Sequence, residues 1–349
     1  MQQQAKAPLA PERAAFYERI GGSNLAPLWE VLHGLVTREP VTPVQPAHWS
    51  YEAIRPYVME AGGLITAKEA ERRVLILENP GLRGQASITH TLYAGLQLIL
   101  PGEVAPAHRH TQSALRFVVE GEGAFTAVDG ERTTMRPGDF IITPSWTWHD
   151  HGNESSEPMV WLDGLDIPLI SMLDASFAEP GNAEQQMVSR PEGDAQMRYG
   201  QGLLPVDWKP ERPTSPIFNY PYARTREALE GLRRGGDPDP CHGYKLRYIN
   251  PATGDFAMPT IGTFMQLLPN GFATAPYRSS DGTVYVAVEG EGESRVGDQV
   301  FHWGPRDVFV VPSWMRHSHH PKGDAVLFSF SDRPVQQKLG LWREDRGAA

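Results

Sequence analysis

The sequence predicts a mainly β protein in which one antiparallel β-barrel or sandwich is present twice. Three observations lead there. Short β-rich runs follow one another from about Arg73, separated by turn residues such as Gly121-Glu122-Gly123, Asp129-Gly130 and Pro137-Gly138-Asp139. The chain carries 31 prolines and 34 glycines, punctuation that suits short strands. Two separated strings recur in order. Val118-Val119-Glu120-Gly121-Glu122-Gly123 returns as Ala287-Val288-Glu289-Gly290-Glu291-Gly292, and Gly138-Asp139-Phe140-Ile141-Ile142-Thr143-Pro144-Ser145-Trp146 returns as Arg306-Asp307-Val308-Phe309-Val310-Val311-Pro312-Ser313-Trp314. The spacing is too long for a solenoid and suits two whole domains.

The elements follow in chain order. Residues 1–70 read as a helical arm, because Phe16, Ile20, Leu25, Leu28, Trp29, Leu32 and Leu35 fall near helical spacing and Gly21-Gly22-Ser23-Asn24 interrupts them. Residues 71–170 carry the runs Val74–Leu77, Leu96–Leu100, Phe117–Val119, Ala124–Val128 and Phe140–Ile142, and form the first barrel. Residues 171–245 read as a partly helical connector, with a helix over Thr225–Arg234 stopped by Gly235-Gly236-Asp237-Pro238. Residues 246–349 hold the second barrel and a tail.

Composition narrows the function. Among 349 residues the formal net charge is -10, which disfavours nucleic acid and anionic membrane surfaces as partners. The one cysteine, Cys241, removes intrachain disulfides and cysteine-rich zinc modules and fits a cytoplasmic protein. No signal peptide is expected behind Met1-Gln2-Gln3-Gln4-Ala5-Lys6, and no apolar run is long enough for a transmembrane helix.

The chemistry concentrates in His108-Arg109-His110 and His149. Residues i and i+2 of a strand point the same way, so His108 and His110 can grip one ion. His149 on a strand folded back beside them completes three neutral ligands and leaves positions open on the metal. Ligand type alone leaves zinc, copper, nickel and iron open.

These residues resemble the cupin motifs. His108 and His110 are followed by Gly121 in the first, and Gly138, Pro144, His149 and Asn153 occupy the second; Trp146 stands where glycine is usual. The fold this implies is a bicupin, two jelly-roll β-barrels with an N-terminal helical arm and a partly helical connector. Longer strings, Ala107 to Phe117, Trp148 to Asn153, Trp161 to Asp166 and Leu327 to Pro334, resemble the bicupin ring-cleaving dioxygenases, the gentisate 1,2-dioxygenase family in particular. The departure from the general cupin pattern is Ala114, which stands where a ligating Glu is expected. Three imidazoles then carry the dication alone, with room for a dianionic chelating acid and O2. The resemblance implies one Fe(II) per chain in the first barrel, gentisate as substrate, chelated through its carboxylate and ortho oxygen, and maleylpyruvate as product. It also implies a homo-oligomer, a homotetramer by family expectation, and the arm is a candidate for packing on a neighbouring subunit.

Other candidates are weighed by strand parity. His151 shares the face of His149 and is a candidate to bind substrate or shuttle a proton, with a purely structural histidine as the alternative. Arg116 shares the parity of His108, His110 and Ala114, so it should face a substrate carboxylate or, alternatively, pair with Asp163. Asp163 is a candidate to orient a ring hydroxyl or accept its proton. Gln97, Arg72 and Tyr93 are candidate substrate contacts, each with a plain structural alternative. Arg73 reads as a solvated charge. In the second barrel Tyr277 and Ser279 fall where His108 and His110 stand, Tyr285 takes the place of Arg116, and His317 matches His149. That set makes a poor metal site; His317, His319 and His320 read as a polar rim, and the barrel as structural. Competing functions are the same cleavage on salicylate or 1-hydroxy-2-naphthoate and, from another class, a non-catalytic ligand-binding or storage bicupin. A manganese decarboxylase is disfavoured by Ala114.

Overall fold

The computed structural model describes residues 9–347, so the first residues of the expected arm lie outside the described residues. It divides into two compact units, up to Val41 and from Thr42 onward.

The first unit holds two helices. Pro11 sits at the first helical position of Pro11–Gly21, where its fixed φ costs nothing, and Glu12 and Arg19 complement the helix dipole. The helix ends at the glycine pair, and Asn24 takes a left-handed φ of 56°. A second helix spans Leu28–Leu35. Within the unit the Trp29 indole donates to Tyr17 Oη at 2.7 Å, and Tyr17 donates to Glu30 at 2.8 Å. Leu25, Leu28, Trp29, Leu32 and Leu35 are exposed.

The second unit begins earlier than expected. Residues 42–70, read from the sequence as arm, belong to the body. Ala47–Trp49 is an edge strand antiparallel to Val308–Val311, and Asp307 accepts from the Tyr51 amide at 2.7 Å. Three residues are too few to show a period of two, and the partner strand lies far downstream, so the sequence gives no local sign of this pairing. The helix Tyr51–Leu64 then buries Tyr51 and Val58.

The first repeat is two sheets. One orders Asn219–Tyr220, Phe140–Thr143, Ala114–Glu120, Met159–Leu165, Tyr93–Ile99 and Val74–Ile76; the other orders Ala178–Pro180, Val104–His110, His149–Asn153, Ala124–Val128 and Glu131–Thr134. The expected connector is therefore partly built into the first barrel, since Ala178–Pro180 and Asn219–Tyr220 are its edge strands. Its helix runs over Tyr222–Gly235. The second repeat has a six-stranded sheet, Ala47–Trp49, Val308–Val311, Thr283–Glu289, Ala325–Ser331, Gly262–Leu268 and Tyr244–Arg247, and a three-stranded one, Gln299–Trp303, Gly292–Val296 and His317–Pro321.

The two six-stranded sheets share one core. Leu115 and Phe117 lie on one face of their strand and join an apolar cluster with Phe328 and Phe330 of the second repeat. Phe117 stacks on Phe328 with centroids 4.3 Å apart and planes 10° apart, and Phe140 lies 5.6 Å from Phe328. Gly164 permits this approach: a Cβ there would lie 2.9 Å from the Phe330 ring. The opposite face of the Ala114–Glu120 strand carries Ala114 and Arg116 into the first barrel.

Phe328 is fully buried at this contact. Phe328→Ala is expected to cost about 3–5 kcal/mol, measured as a lowered urea midpoint; an unchanged midpoint would show that the two sheets do not depend on this stack.

Candidate metal centre

His108 and His110 project from Val104–His110, and His149 begins the neighbouring antiparallel strand, with His108 and His149 as direct partners in the register. Their ring centroids lie 4.2 Å (His108–His149), 4.8 Å (His110–His149) and 5.2 Å (His108–His110) apart. One ring nitrogen from each lies within 4.8 Å of the others.

The backbone sets the tautomers. His149 Nδ1 lies 2.9 Å from the Thr147 carbonyl, His110 Nδ1 2.9 Å from that of Gln112, and His108 Nδ1 3.2 Å from that of Pro106. A carbonyl only accepts, so the Nδ1 of His110 and of His149 carries its proton and their Nε2 atoms offer lone pairs. His108 Nδ1 also faces the Arg72 guanidinium, which only donates, so the Pro106 carbonyl does not set its tautomer. His149 Nε2 is buried with no hydrogen-bond partner, a cost a metal ion would remove. Burial, followed by the positive charge of Arg72, holds His108 down at about 3; burial holds His110 at about 4 against the pull of the Gln112 carbonyl. Burial depresses His149 well below the ordinary imidazole value. All three are thus neutral at pH 7, the form that binds metal. Ala114 is fully buried and supplies no ligand, and among the described residues no carboxylate joins the group.

The turn before His149 is strained in both repeats. Trp146 and Trp314 have φ of 60° and 61°, and each amide donates at 2.7 Å, to the carbonyls of His110 and Ser279 respectively. A left-handed tryptophan is costly, so its recurrence marks a turn that both barrels need. In the first barrel Arg109 lies against Trp146 and Trp148, 4.6 and 4.7 Å from their ring centroids, and donates to Glu179.

The remaining candidates gather around this group. Arg116 is buried, donates to Thr143 Oγ1 at 2.5 Å, and brings Nε within 3.5 Å of Asp163 Oδ1. Its Nε lacks a hydrogen bond. Burial raises Asp163 to about 6, against the pull of Arg116 and a 3.0 Å hydrogen bond from the Trp161 indole. Arg72 is half-buried, donates to the Pro106 carbonyl at 2.9 Å and lies against His108 Nδ1. Burial and the charge of Arg116 lower Arg72 to about 10. Two guanidiniums thus share a pocket with one carboxylate, a surplus of positive charge even before a metal is added. Tyr93 is half-buried, its phenol pushed up by burial and by Asp163. Gln97 is buried on the same strand, opposite Trp161 and Val74.

His151 is fully buried, 5.8 Å from His149 and 5.6 Å from the Trp161 ring. Its Nδ1 meets Thr126 Oγ1 at 2.9 Å, while Thr126 donates to Met135 Sδ at 3.2 Å. With that hydroxyl proton committed, Thr126 accepts from Nδ1–H and His151 Nε2 becomes a bare acceptor; it has no partner. Burial and the charge of Arg116 keep the ring neutral.

Two expectations are corrected. Arg73 is not a solvated charge: it is 4% exposed and donates to the Ile65 carbonyl and to Glu103. It stands just before the strand Val74–Ile76, and the downstream Glu103 meets it there. His317 and His319 are not a rim: both are buried, and only His320 is exposed. His317 Nε2 lies 3.3 Å from Tyr285 Oη and His319 Nδ1 2.7 Å from Ser294 Oγ, so neighbouring hydroxyls rather than solvent satisfy them. Tyr277 does stand in register with His317 as His108 does with His149. Thr126 and Thr143 were overlooked. The signal was present, since each is a lone hydroxyl in an apolar strand at the parity of the inward positions.

Comparison with known proteins agrees with this geometry. The Cupin domain family model matches residues 95–165 and 263–330. The chain is 59% identical over 341 residues to gentisate 1,2 dioxygenase 1 of Aquipseudomonas alcaligenes, covering 98% of each chain. It is 42% identical to a gentisate 1,2-dioxygenase of Streptomyces sp, covering 99% of this chain and 98% of that one. A solved structure of salicylate 1,2-dioxygenase from Pseudoaminobacter salicylatoxidans, an adduct with gentisate, superposes with a TM-score of 0.93 at 34% identity, covering 100% of this chain and 98% of that one. With that identity spread over nearly its whole length, the chain belongs to the gentisate 1,2-dioxygenase family of bicupin ring-cleaving dioxygenases.

Proposed function

We propose that the chain is an Fe(II)-dependent gentisate 1,2-dioxygenase, joining gentisate and O2 to give maleylpyruvate, with both oxygen atoms entering the product. The observation that carries this is the trio of converging, neutral imidazoles with an alanine in place of a fourth ligand. His108, His110 and His149 would hold the metal. Iron(II) there would supply adjacent positions for the substrate's carboxylate, its ortho oxygen and O2, and a route for electrons from ring to O2.

The chain's own residues do the rest. Arg116 and Arg72 receive the negative charge of the acid; Arg116 Nε is the unfilled donor best buried for this. His151 Nε2 takes the proton from the ortho-hydroxyl, since it is neutral, partnerless and held by Thr126. Asp163, raised to about 6, orients the guanidinium of Arg116 and a ring hydroxyl. Gln97 and Tyr93 line the same enclosure and contact the ring substituents. The buried ring of Trp161, on the same strand face as Asp163, keeps bulk water out. Salicylate and 1-hydroxy-2-naphthoate share the chelating group but lack the para-hydroxyl that enriches the ring, and rank second. We propose further that the protein works as a cytoplasmic homo-oligomer, the net charge and single cysteine supporting the compartment and the exposed leucines and Trp29 of the arm supporting self-association. Among the described residues no helix is long and apolar enough to cross a membrane.

Anaerobic reconstitution with Fe(II), then gentisate and air, is expected to consume one O2 per gentisate; no uptake with any ortho-hydroxy aromatic acid would refute the proposal. His149→Ala is expected to reduce iron, assayed colorimetrically after dialysis, to background, while His317→Ala leaves one per chain. Equal loss in both would place metal in both barrels. Arg116→Met should retain iron and raise the gentisate KM by about 10- to 100-fold, the cost of losing a charge-assisted contact. An unchanged KM would remove Arg116 from substrate binding.

A further inference from the structure

The second barrel keeps a polar interior that no metal explains. Lys245 pairs in register with Gln266, and Phe264 and Gln266 alternate onto one face of their strand. Phe264 lies opposite Ser329, which in turn lies opposite Tyr285. Tyr285 and Leu327 belong to the apolar cluster inside this barrel. Lys245, Phe264, Gln266, Tyr285 and Ser329 therefore share one enclosure.

Its polar groups are unfilled. Gln266 is 1% exposed, and both its Oε1 and its Nε2 lack partners; the fully buried Ser329 Oγ lacks one too. Leaving such atoms bare costs about 1–3 kcal/mol each. The half-buried Lys245 has no hydrogen bond or ion pair among the described residues. Its ammonium lies 5.0 and 5.7 Å from the ring centroids of Phe264 and Tyr285, a partial compensation only. The nearby charges are already matched: Arg333 meets Asp281 at 3.1 Å and Arg346 meets Asp239 at 2.5 Å. His242 and His317 are neutral, held by burial at about 2 and 4, and burial holds His319 well below its ordinary value. Among these groups Lys245 alone has no charged partner.

We propose that the interior of the second barrel is a metal-free binding site for a small hydroxycarboxylate monoanion, held between Lys245 and Gln266. A single unpartnered amine selects a monoanion, and its ammonium form suits a carboxylate. The amide of Gln266 offers a donor nitrogen and an acceptor oxygen, which together suit a carboxylate oxygen and an adjacent hydroxyl. Metal is excluded because His317 Nε2 faces the Tyr285 hydroxyl and Tyr277 and Ser279 stand where the first barrel has imidazoles. Burial, followed by the charge of Arg333, lowers Lys245 to about 7 without an anion, and a bound carboxylate would restore the ammonium.

The test uses the full-length, iron-loaded protein under argon, with glycolate as probe. Calorimetric titration of the wild type should show a binding event that is missing from both Lys245→Met and Gln266→Leu, while iron content and oxygen uptake with gentisate stay at wild-type levels in both. Glycolate chelating the first-barrel iron would appear equally in all three proteins and cancel. Independently, glycolate at ten times its Kd should slow reductive methylation of Lys245, read by peptide mass spectrometry, by about tenfold, with the exposed Lys68 unaffected. Superposable isotherms in the three proteins, or undiminished methylation of Lys245, would overturn the proposal and leave these polar groups to ordered water.

Discussion

The centre depends on two backbone carbonyls, those of Gln112 and Thr147, which fix the protons of His110 and His149. Because the Nδ1 atoms of those two rings are committed, their Nε2 atoms are free, and burial keeps all three imidazoles neutral far below pH 7. The donor set exists before any metal arrives. Everything nearby follows from it: the strained Trp146 turn that aims His149, the arginine stack on Trp146 and Trp148 that braces the turn, and Ala114 that leaves the remaining positions to ligands.

Duplication shows which features serve the fold and which serve the site. Both repeats keep the left-handed tryptophan and its hydrogen bond back to the preceding strand, so these belong to the architecture. Among the described residues only the first keeps the three-imidazole group, and Tyr285 stands in the second where the first has Arg116. In the second, Tyr285 and Ser294 occupy the nitrogens of His317 and His319, while Phe328 of that repeat supports the first barrel by stacking on Phe117. The second barrel thus buttresses the first without copying its chemistry.

Much of this was readable from residue order. The H-x-H spacing and the parity of His149, His151, Arg116 and Asp163 are local rules of a strand, and local rules survive folding. The edge strand Ala47–Trp49 was not readable, because its three residues acquire meaning only beside Val308–Val311. Arg73 and the His317–His319 pair were misread for a related reason: a charged or polar side chain looks solvated until its partner arrives from a distant strand, here Glu103, Tyr285 and Ser294. Thr126 was within reach, and it sets the proton on His151.

The central claim is that three imidazoles leave room on one metal for both a chelating acid and a diatomic gas. Electron paramagnetic resonance of the anaerobic Fe(II) protein with nitric oxide, a stand-in for O2, tests this directly. The account predicts a nitrosyl signal that persists and changes shape when gentisate is added. Loss of the signal on adding gentisate would mean that the two compete for the same positions, and would contradict it.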